Sequence, residues 1–303
     1  MNIKSLKTYL NNPGLLVIRV GKNSFLKYMN DEKYLKMSYK IHTGNELDLE
    51  HPQTFNEKIQ WLKIHDRKNI YTLLADKCEA KNIVSNILGE EYIIPTLGVW
   101  EKFEDITWDS LPEQFVLKCT HDSGGLVICR EKRKLDIETT KKIIMNSARR
   151  NYYWSGREWP YKNIKPRIIA EKYMIQGNES GLRDYKFFCF SGVPKMLYVS
   201  EGLENHETAK ISFYDLQGNE LPFHRKDYKP LGRNIELPNN FNEMIKVAEK
   251  LAKYVDNPFV RIDLYSILNR IYFSEVTFSP CGGNIPFDPE EWDRKLGDWI
   301  DLN

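Results

Sequence analysis

The chain has 303 residues, of which 41% are hydrophobic and 13% aromatic, enough to bury a substantial core in one large or two modest domains. Its 44 basic and 42 acidic residues leave a net charge of +2, which excludes the global basic bias of a nucleic-acid binder. The five cysteines are odd in number, scattered and never in Cys-x-x-Cys spacing, which argues for a reducing cytoplasm and against a disulfide framework or a zinc site.

Residues 1–72 read as a helical, irregular N-terminal region broken at Asn12-Pro13-Gly14 and Thr43-Gly44-Asn45. Its first thirty residues carry Lys4, Lys7, Arg19, Lys22 and Lys27, and no acid precedes Asp31. The apolar run Leu15-Leu16-Val17-Ile18 is too short to span a bilayer and lacks the pattern of a signal peptide. The segment suits weak attachment to an anionic membrane surface, so the expected location is the cytoplasm or the inner face of the cell membrane. Thr54 with Glu57 three residues on is a capping box, opening a helix with apolar Ile59, Trp61 and Leu62. A second helix starts at Asp76-Lys77, with Ala80, Ile83, Val84, Ile87 and Leu88 at helical spacing and a stop at Gly89. Lys77 and Lys81 lie one turn apart on it.

A strand ending in Lys118-Cys119 then meets Thr120-His121-Asp122-Ser123-Gly124-Gly125 and a second short strand over 126–129. A lysine beside such a loop can pair with phosphate while the loop's N–H groups close over the anion. The Walker spacing is absent, which disfavours a P-loop NTPase. A helix is predicted over 136–151 with Thr140, Ile143, Ile144, Ser147 and Ala148 inward. Residues 151–161 interleave aromatics with Arg157, the composition of a ring- or sugar-binding loop; the basic residues do not continue as the stripe that single-stranded nucleic acid needs. An apolar strand over 167–174 contains Glu171, which on an edge strand would simply be exposed. Two further strands flank Ser191-Gly192 as a hairpin, with Asp184 and Lys186 on one face. The loop 224–233 is basic and mobile-looking, with partners for an anionic glycan. A helix over 241–254 turns Met244, Ile245, Ala248, Leu251 and Ala252 inward. Cys281-Gly282-Gly283-Asn284 invites a thiol nucleophile, but no histidine pairs with it in sequence.

The strongest chemistry lies in 259–265 and 271–278, two strands joined by a turn over 266–270. Alternation puts Arg261, Asp263 and Tyr265 on one face, and Phe273, Glu275 and Thr277 on one face of the partner. With the turn centred near Asn269, Asp263 faces Glu275 and Arg261 faces Thr277. Two carboxylates whose Cβ atoms are about 4.5–5.5 Å apart repel unless something positive lies between them. A divalent metal would resolve this, and oxygen donors suit Mg²⁺ or Mn²⁺ rather than Zn²⁺. The alternative is a solvated hairpin face.

Asp76-Lys77, the strand-lysine-glycine unit at 115–129, Glu171, Asp184-Tyr185-Lys186 and Arg261-Ile262-Asp263 with Glu275-Val276-Thr277-Phe278-Ser279-Pro280 follow one another in a telling order. Together with Pro52-Gln53-Thr54-Phe55-Asn56-Glu57-Lys58, they make most of the chain resemble the TupA-like ATP-grasp family of bacterial surface-polysaccharide pathways. The resemblance implies an α+β ATP-grasp fold: a helical region (1–72), then two α+β subdomains (73–170 and 171–303) clasping Mg-ATP. It places Lys77, Lys118, Lys186 and the Ser123, Gly124, Gly125 loop at the phosphates. Glu171, Lys172 and Met174 would meet the adenine, and Asp184 rather than Glu179 the ribose. Asp263 and Glu275 would hold the metal, with Thr277 standing where the family has Asn. Arg261 and Lys118 would oppose the charge that builds during reaction. The implied reaction joins a small amine to a carboxylate through an acyl phosphate, the acceptor being a uronic acid or amino-acid group of a glycan. A sugar kinase, a glycosyltransferase and a non-catalytic nucleotide-binding partner are the alternatives. Asp263→Asn is expected to leave the fold intact and abolish ATP turnover.

Overall fold

Alternating apolar and polar residues punctuated by tight turns build two antiparallel sheets, and the intervening segments fold as amphipathic helices that cover them. The structure, a computed structural model, describes residues 12–22, 24–122, 124–175, 182–202 and 209–302. Helices α1 (Pro13–Gly21), α2 (Asp31–Thr43), α3 (Phe55–His65), α4 (Asn69–Ala75) and α5 (Lys77–Leu88) come first. Strands β1 (Thr96–Trp100), β2 (Phe115–Cys119), β3 (Val127–Cys129) and β4 (Ile168–Lys172) form a sheet in the order β1-β4-β2-β3, with α6 (Ile137–Ala148) and the short α7 (Tyr153–Gly156) inserted before β4. The second sheet, ordered β10-β9-β5-β6-β7, is made of β5 (Asp184–Phe190), β6 (Val193–Glu201), β7 (Lys210–Tyr214), β9 (Phe259–Ile267) and β10 (Arg270–Thr277). A small ladder joins β8 (His224–Arg225) to β11 (Phe287–Asp288), while α8 (Phe241–Val255) and α9 (Glu291–Gly297) complete the chain. The expected α+β class holds.

One face of the five-stranded sheet is mainly apolar. Tyr185, Phe187, Leu197, Val199, Ile262 and Leu264 pack there against Met244, Ala248 and Leu251 of α8 and against Ala80 and Val84 of α5. Helix α5, expected to go with the first sheet, thus rests on the second. The opposite face is divided. At one end Phe188, Phe190, Met196, Phe213 and Phe259 pack under Phe55, Ile59 and Leu62 of α3 and Leu296 of α9. Each such fully buried side chain is worth about 1.5–3 kcal/mol of burial, so the aromatic end fixes where α3 sits. The other end carries the charged residues.

Helix α3 begins as predicted: Thr54 Oγ1 accepts from the Glu57 N–H at 3.2 Å, and Glu57 Oε2 accepts from the Thr54 N–H at 2.9 Å. A polar stripe, Asn56, Gln60 and Lys63, holds the loop after β10. Asn56 exchanges bonds of 2.9 and 2.8 Å with the Ile285 backbone, and Gln60 Nε2 donates to the Gly283 carbonyl at 2.7 Å. Gly283 adopts φ +70°, and a Cβ there would lie 2.9 Å from Gln60 Nε2, so only glycine suits the position.

The β9–β10 turn has Leu268 and Asn269 at φ +50° and +60°, the two-residue geometry that matches strand twist. Regular pairing runs from Ile267–Arg270 to Leu264–Phe273; Ser274 then bulges, after which Asp263 faces Glu275 and Arg261 faces Thr277. The expected facing is therefore correct, though the turn centres between Leu268 and Asn269 and the bulge makes up the difference. One expectation falls with it. Phe273 pairs with Leu264 and packs beneath the sheet, on the face opposite Glu275.

Three further readings are corrected. β4 is an inner strand because β1 pairs along its far side, so Glu171 is buried, not exposed on an edge. In α6 the inward positions are Thr140, Ile144 and Ser147, while Ile143 is 39% exposed. The basic loop 224–233 is pinned: Arg225 makes a bidentate pair with Asp227 at 2.8 and 2.5 Å, Lys226 meets Glu290, and Arg233 meets Glu201. No helix among the described residues is long and apolar enough to cross a membrane.

Candidate active site

The register of the second sheet sets Lys186, Asp263 and Glu275 in one row across β5, β9 and β10, with Arg261 and Thr277 in the next. Arg261 is the hub. Its Nε donates to Asp263 Oδ1 at 2.7 Å, and its Nη2 to Asp263 Oδ2, Glu275 Oε1 and Thr277 Oγ1 at 2.6, 2.9 and 3.0 Å. Its Nη1 donates to the Tyr198 hydroxyl at 3.2 Å. Lys186 Nζ adds a 2.6 Å bond to Asp263 Oδ2 and also binds Asp184. The repulsion between Asp263 and Glu275 is thus answered by the protein itself. The expectation that a metal must separate them is corrected: Arg261, two residues before Asp263 on the same strand face, folds back between them.

Burial opposes the charge of both cations, yet Asp263 holds Arg261, and Asp184 with Asp263 holds Lys186, well above their ordinary pKa values. Burial pushes the fully enclosed Asp263 up to about 6, against the pull of Arg261 and Lys186. Glu275 behaves oppositely: burial raises it, but Arg261, Lys186 and Lys77 prevail and bring it down to about 2. Its side chain is 40% exposed, which makes it the open carboxylate of the cluster.

On the first sheet, Lys118 Nζ meets Glu171 Oε2 at 2.5 Å and Lys81 takes the other oxygen, while also donating to the Ile94 carbonyl at 2.8 Å. Both oxygens of Glu171 are engaged inside the protein, and Glu171, Lys172, Tyr173 and Met174 border the open space beside it. Lys77 links the two sheets. Its Nζ donates to the Asp122 carbonyl at 2.7 Å, and it lies in the field of both Glu275 and Lys118, its pKa lowered chiefly by burial. The loop that carries Asp122 is anchored by Ser147 Oγ and Arg150 Nη2, which donate to Asp122 Oδ2 at 2.5 and 2.6 Å. Gly124 borders Arg150, and Gly125, at φ +65°, crosses Ser147 so closely that a Cβ would fall 2.3 Å from that residue's own. Ser123 and Glu179 lie outside the described residues.

Between the sheets is a slot of about 250 Å³ walled by Val116, Leu126 and Ile128 on one side, Tyr265, Phe273 and Ser274 on the other, and Lys172 and Met174 at its rim. Leu126 and Ile128 are 53% and 39% exposed. Apolar walls that open onto Lys118 suit a flat heteroaromatic ring with an anionic tail. A larger cavity of about 590 Å³ lined by Trp61, Lys68 and Asn257 contains none of these charged groups. Among the described residues, Asp184 Oδ1 is buried with no hydrogen-bond partner, an acceptor awaiting a donor. The donor set fits Mg²⁺, which binds through one or two carboxylates together with substrate phosphates. Glu275 Oε1 carries Arg261 and the Thr277 hydroxyl, and Asp263 carries three hydrogen bonds, so both carboxylates keep acceptor capacity.

Of the residues picked out by sequence reasoning, Lys118, Glu171, Lys172 and Met174 line the slot, Asp184, Lys186, Arg261, Asp263, Glu275 and Thr277 form one hydrogen-bonded cluster, and Lys77 lies in the field of both groups. That reasoning missed Tyr198, which the β5–β6 register sets opposite Lys186, and Arg150, whose partner is 28 residues distant.

An apolar slot between two antiparallel sheets that reaches Lys118, with Arg261, Asp263 and Glu275 clustered on the strand pair that forms its second wall, is an arrangement of the ATP-grasp type. The chain belongs to the TupA-like ATPgrasp family, whose profile matches residues 57–301, as the sequence resemblance implied. Similar solved structures include a D-alanine–D-alanine ligase from Bacillus anthracis (16% identity, TM-score 0.43, covering 68% of this chain and 57% of that one). Another is an N5-carboxyaminoimidazole synthetase from Staphylococcus aureus (14%, 0.41, 68% and 44%). A third is the ATP-grasp ligase PsnB complexed with minimal precursor (9%, 0.41, 74% and 59%). The chain spans about half the length of these structures. No curated protein matches it.

Proposed function

We propose that the protein is an ATP-dependent carboxylate–amine ligase that forms an amide through an acyl phosphate. The observation that carries this is Glu275, an open carboxylate held down by Arg261, in the field of Lys77 and next in the strand to Ser274, which lines the apolar slot. ATP would enter with its adenine in the slot against the backbone near Lys172 and Met174, and a ribose hydroxyl would satisfy Asp184 Oδ1. Lys77 and Lys118 pair with phosphate oxygens beside the Gly124-Gly125 loop, and Lys186 acts through Asp263. Glu275 and Asp263, with Thr277 nearby, are the groups that would hold Mg²⁺, which supplies charge neutralisation when bound. Arg261 opposes charge that develops on transferred oxygens. The acceptor is a uronic acid or amino-acid group of a bacterial surface polysaccharide, a context that follows from the family resemblance.

A second feature supports a place for this chemistry at the inner face of the cell membrane. Leu16, Val17, Val20 and Phe25 are 42%, 46%, 61% and 60% exposed on and beside α1, near Arg19 and Lys27. Co-sedimentation with vesicles of anionic but not zwitterionic lipid tests this. For the reaction, ADP release is measured with Mg-ATP against a panel of uronic acids and amines. Release that requires both partners is the expected result; a phosphorylated sugar product overturns the ligase reading.

A further inference from the structure

A further cavity, of about 150 Å³ and open on one side, lies beside α3, α7 and the loop that follows β10, with Lys63, Gln60, Tyr152, Glu158, Cys281 and Gly282 on its walls. Its volume is below the roughly 300–1,000 Å³ of drug-sized ligand sites, so it admits only a small group. Two opposite charges are buried on it: Lys63 is 4% and Glu158 5% exposed. Lys63 Nζ donates to Gln60 Oε1 at 2.9 Å and to the Gly282 carbonyl at 2.5 Å, which aims it into the space. Glu158 turns back over Gly156, its Oε1 3.2 Å from where a Cβ on that glycine would stand. Both charged atoms lie 4.0 Å from one point, the place a Cβ on Gly282 would take, so the bare glycine keeps the gap between them open. The space adjoins the charged cluster. Burial raises Glu158 to about 7, with Lys63, Arg261 and Glu275 as the charges in its field, Tyr161 and Cys281 as titratable groups beside it, and His42 and Tyr152 on the walls of the same cavity.

A small void with a cation on one side and a carboxylate on the other is complementary to a molecule that carries both an amine and a carboxylate. Resting on the ligase reading, we propose that this pocket receives the amine substrate as a small amino acid, or as the amino-acid end of a larger molecule. Its carboxylate lies on Lys63 and its nitrogen on Glu158, and Glu158 takes the proton that the amine sheds. As the nitrogen lone pair forms the C–N bond, the bond from the acyl carbon to the phosphate oxygen breaks and its electron pair leaves on inorganic phosphate. The ammonium gives its first proton to Glu158 Oε1, which frees the lone pair, and the second, lost as the C–N bond forms, leaves on the departing phosphate as hydrogen phosphate.

The test uses the full chain with Mg-ATP, glucuronate, galacturonate and mannuronate as carboxylates, and as nucleophile either each L-amino acid or hydroxylamine. Hydroxylamine is unprotonated near neutral pH, so it traps an acyl phosphate as hydroxamate without a base to free its lone pair. Glu158→Gln is expected to lose about 10²-fold of the amino-acid-dependent rate and keep the hydroxamate rate within about 2-fold. The wild-type amino-acid rate rises through about pH 7, and this rise is absent in the variant. Lys63→Met is expected to raise KM for the amino acid about 10-fold or more and leave KM for its decarboxylated counterpart unchanged. Equal losses with both nucleophiles, or none with either, overturn the role of Glu158 and leave the ligase reading standing. Hydroxamate formation with no turnover of any amino acid overturns the substrate class. No hydroxamate from the wild type with any of these acids overturns the ligase reading and this inference with it.

Discussion

Asp263 and Glu275 face each other across one strand pair, yet their replacement by the matching amides should have opposite consequences. Asp263 has no exposed surface and takes three hydrogen bonds from Arg261 and Lys186 at 2.6–2.7 Å. In Asp263→Asn the amide nitrogen cannot accept, and two buried cations lose their shared counter-charge. Breaking one partner of a buried pair costs about 3–5 kcal/mol. At about 2–4 °C per kcal/mol for a chain of this size, the melting temperature should fall by about 10 °C. The expectation from sequence, that this substitution leaves the fold untouched, is thereby revised. Glu275 makes one bond to Arg261 and is 40% exposed, so solvent screens the pair and Glu275→Gln should cost about 1 kcal/mol or less. What Glu275→Gln removes is the open carboxylate, and Mg²⁺-dependent nucleotide affinity should drop by about 10-fold or more. Melting followed by tryptophan fluorescence and titration with a fluorescent ATP analogue, with and without Mg²⁺, measure the two effects. The reasoning is refuted if Asp263→Asn melts with the wild type, or if Glu275→Gln keeps its full Mg²⁺ dependence.

Glu171→Gln should destabilise by about 3 kcal/mol in urea unfolding because Lys81 and Lys118 lose the carboxylate they share; an unchanged midpoint would show that these lysines find other partners. Lys77→Met should weaken ATP binding about 10-fold while raising or preserving the melting temperature, since burial already disfavours its charge; calorimetric titration with ATP checks this. Burial raises Asp293 to about 6, against the hydrogen bonds it accepts from Asn56. The folded state therefore holds its proton more tightly than the unfolded chain does. That contribution to stability is full below about pH 4 and lost as pH rises through about 6. Asp293→Asn should remove this fall, seen as a flatter plot of urea midpoint against pH between 4 and 7.

Local signals carried much of this structure. The capping box at Thr54 and Glu57, the stop at Gly89 and the Ser191-Gly192 turn are short-range chemistry, legible because each is settled by residues within a few positions. The facing of Asp263 and Glu275 was legible for the same reason. What could not be read was the identity of the counter-charge: Arg261 was in view, but its side-chain direction depends on Tyr198, which stacks beneath it from another strand. The burial of Glu171 was hidden because Thr96 of β1, the strand that covers its far side, precedes it by 75 residues. The pair of Lys63 and Glu158 is more distant still, one on α3 and the other just after α7.

The bulge at Ser274 has a consequence for how such a pocket can change. Deleting Ser274 would let the hairpin run without interruption and still bring Glu275 opposite Asp263, since the ladder closes correctly with one residue fewer. That serine is a supernumerary position in the strand, and its side chain borders the slot, where it is hydrogen-bonded to Tyr265 of the partner strand. Substitutions there can retune what the slot admits while the acidic partners in the very next rung keep their alignment.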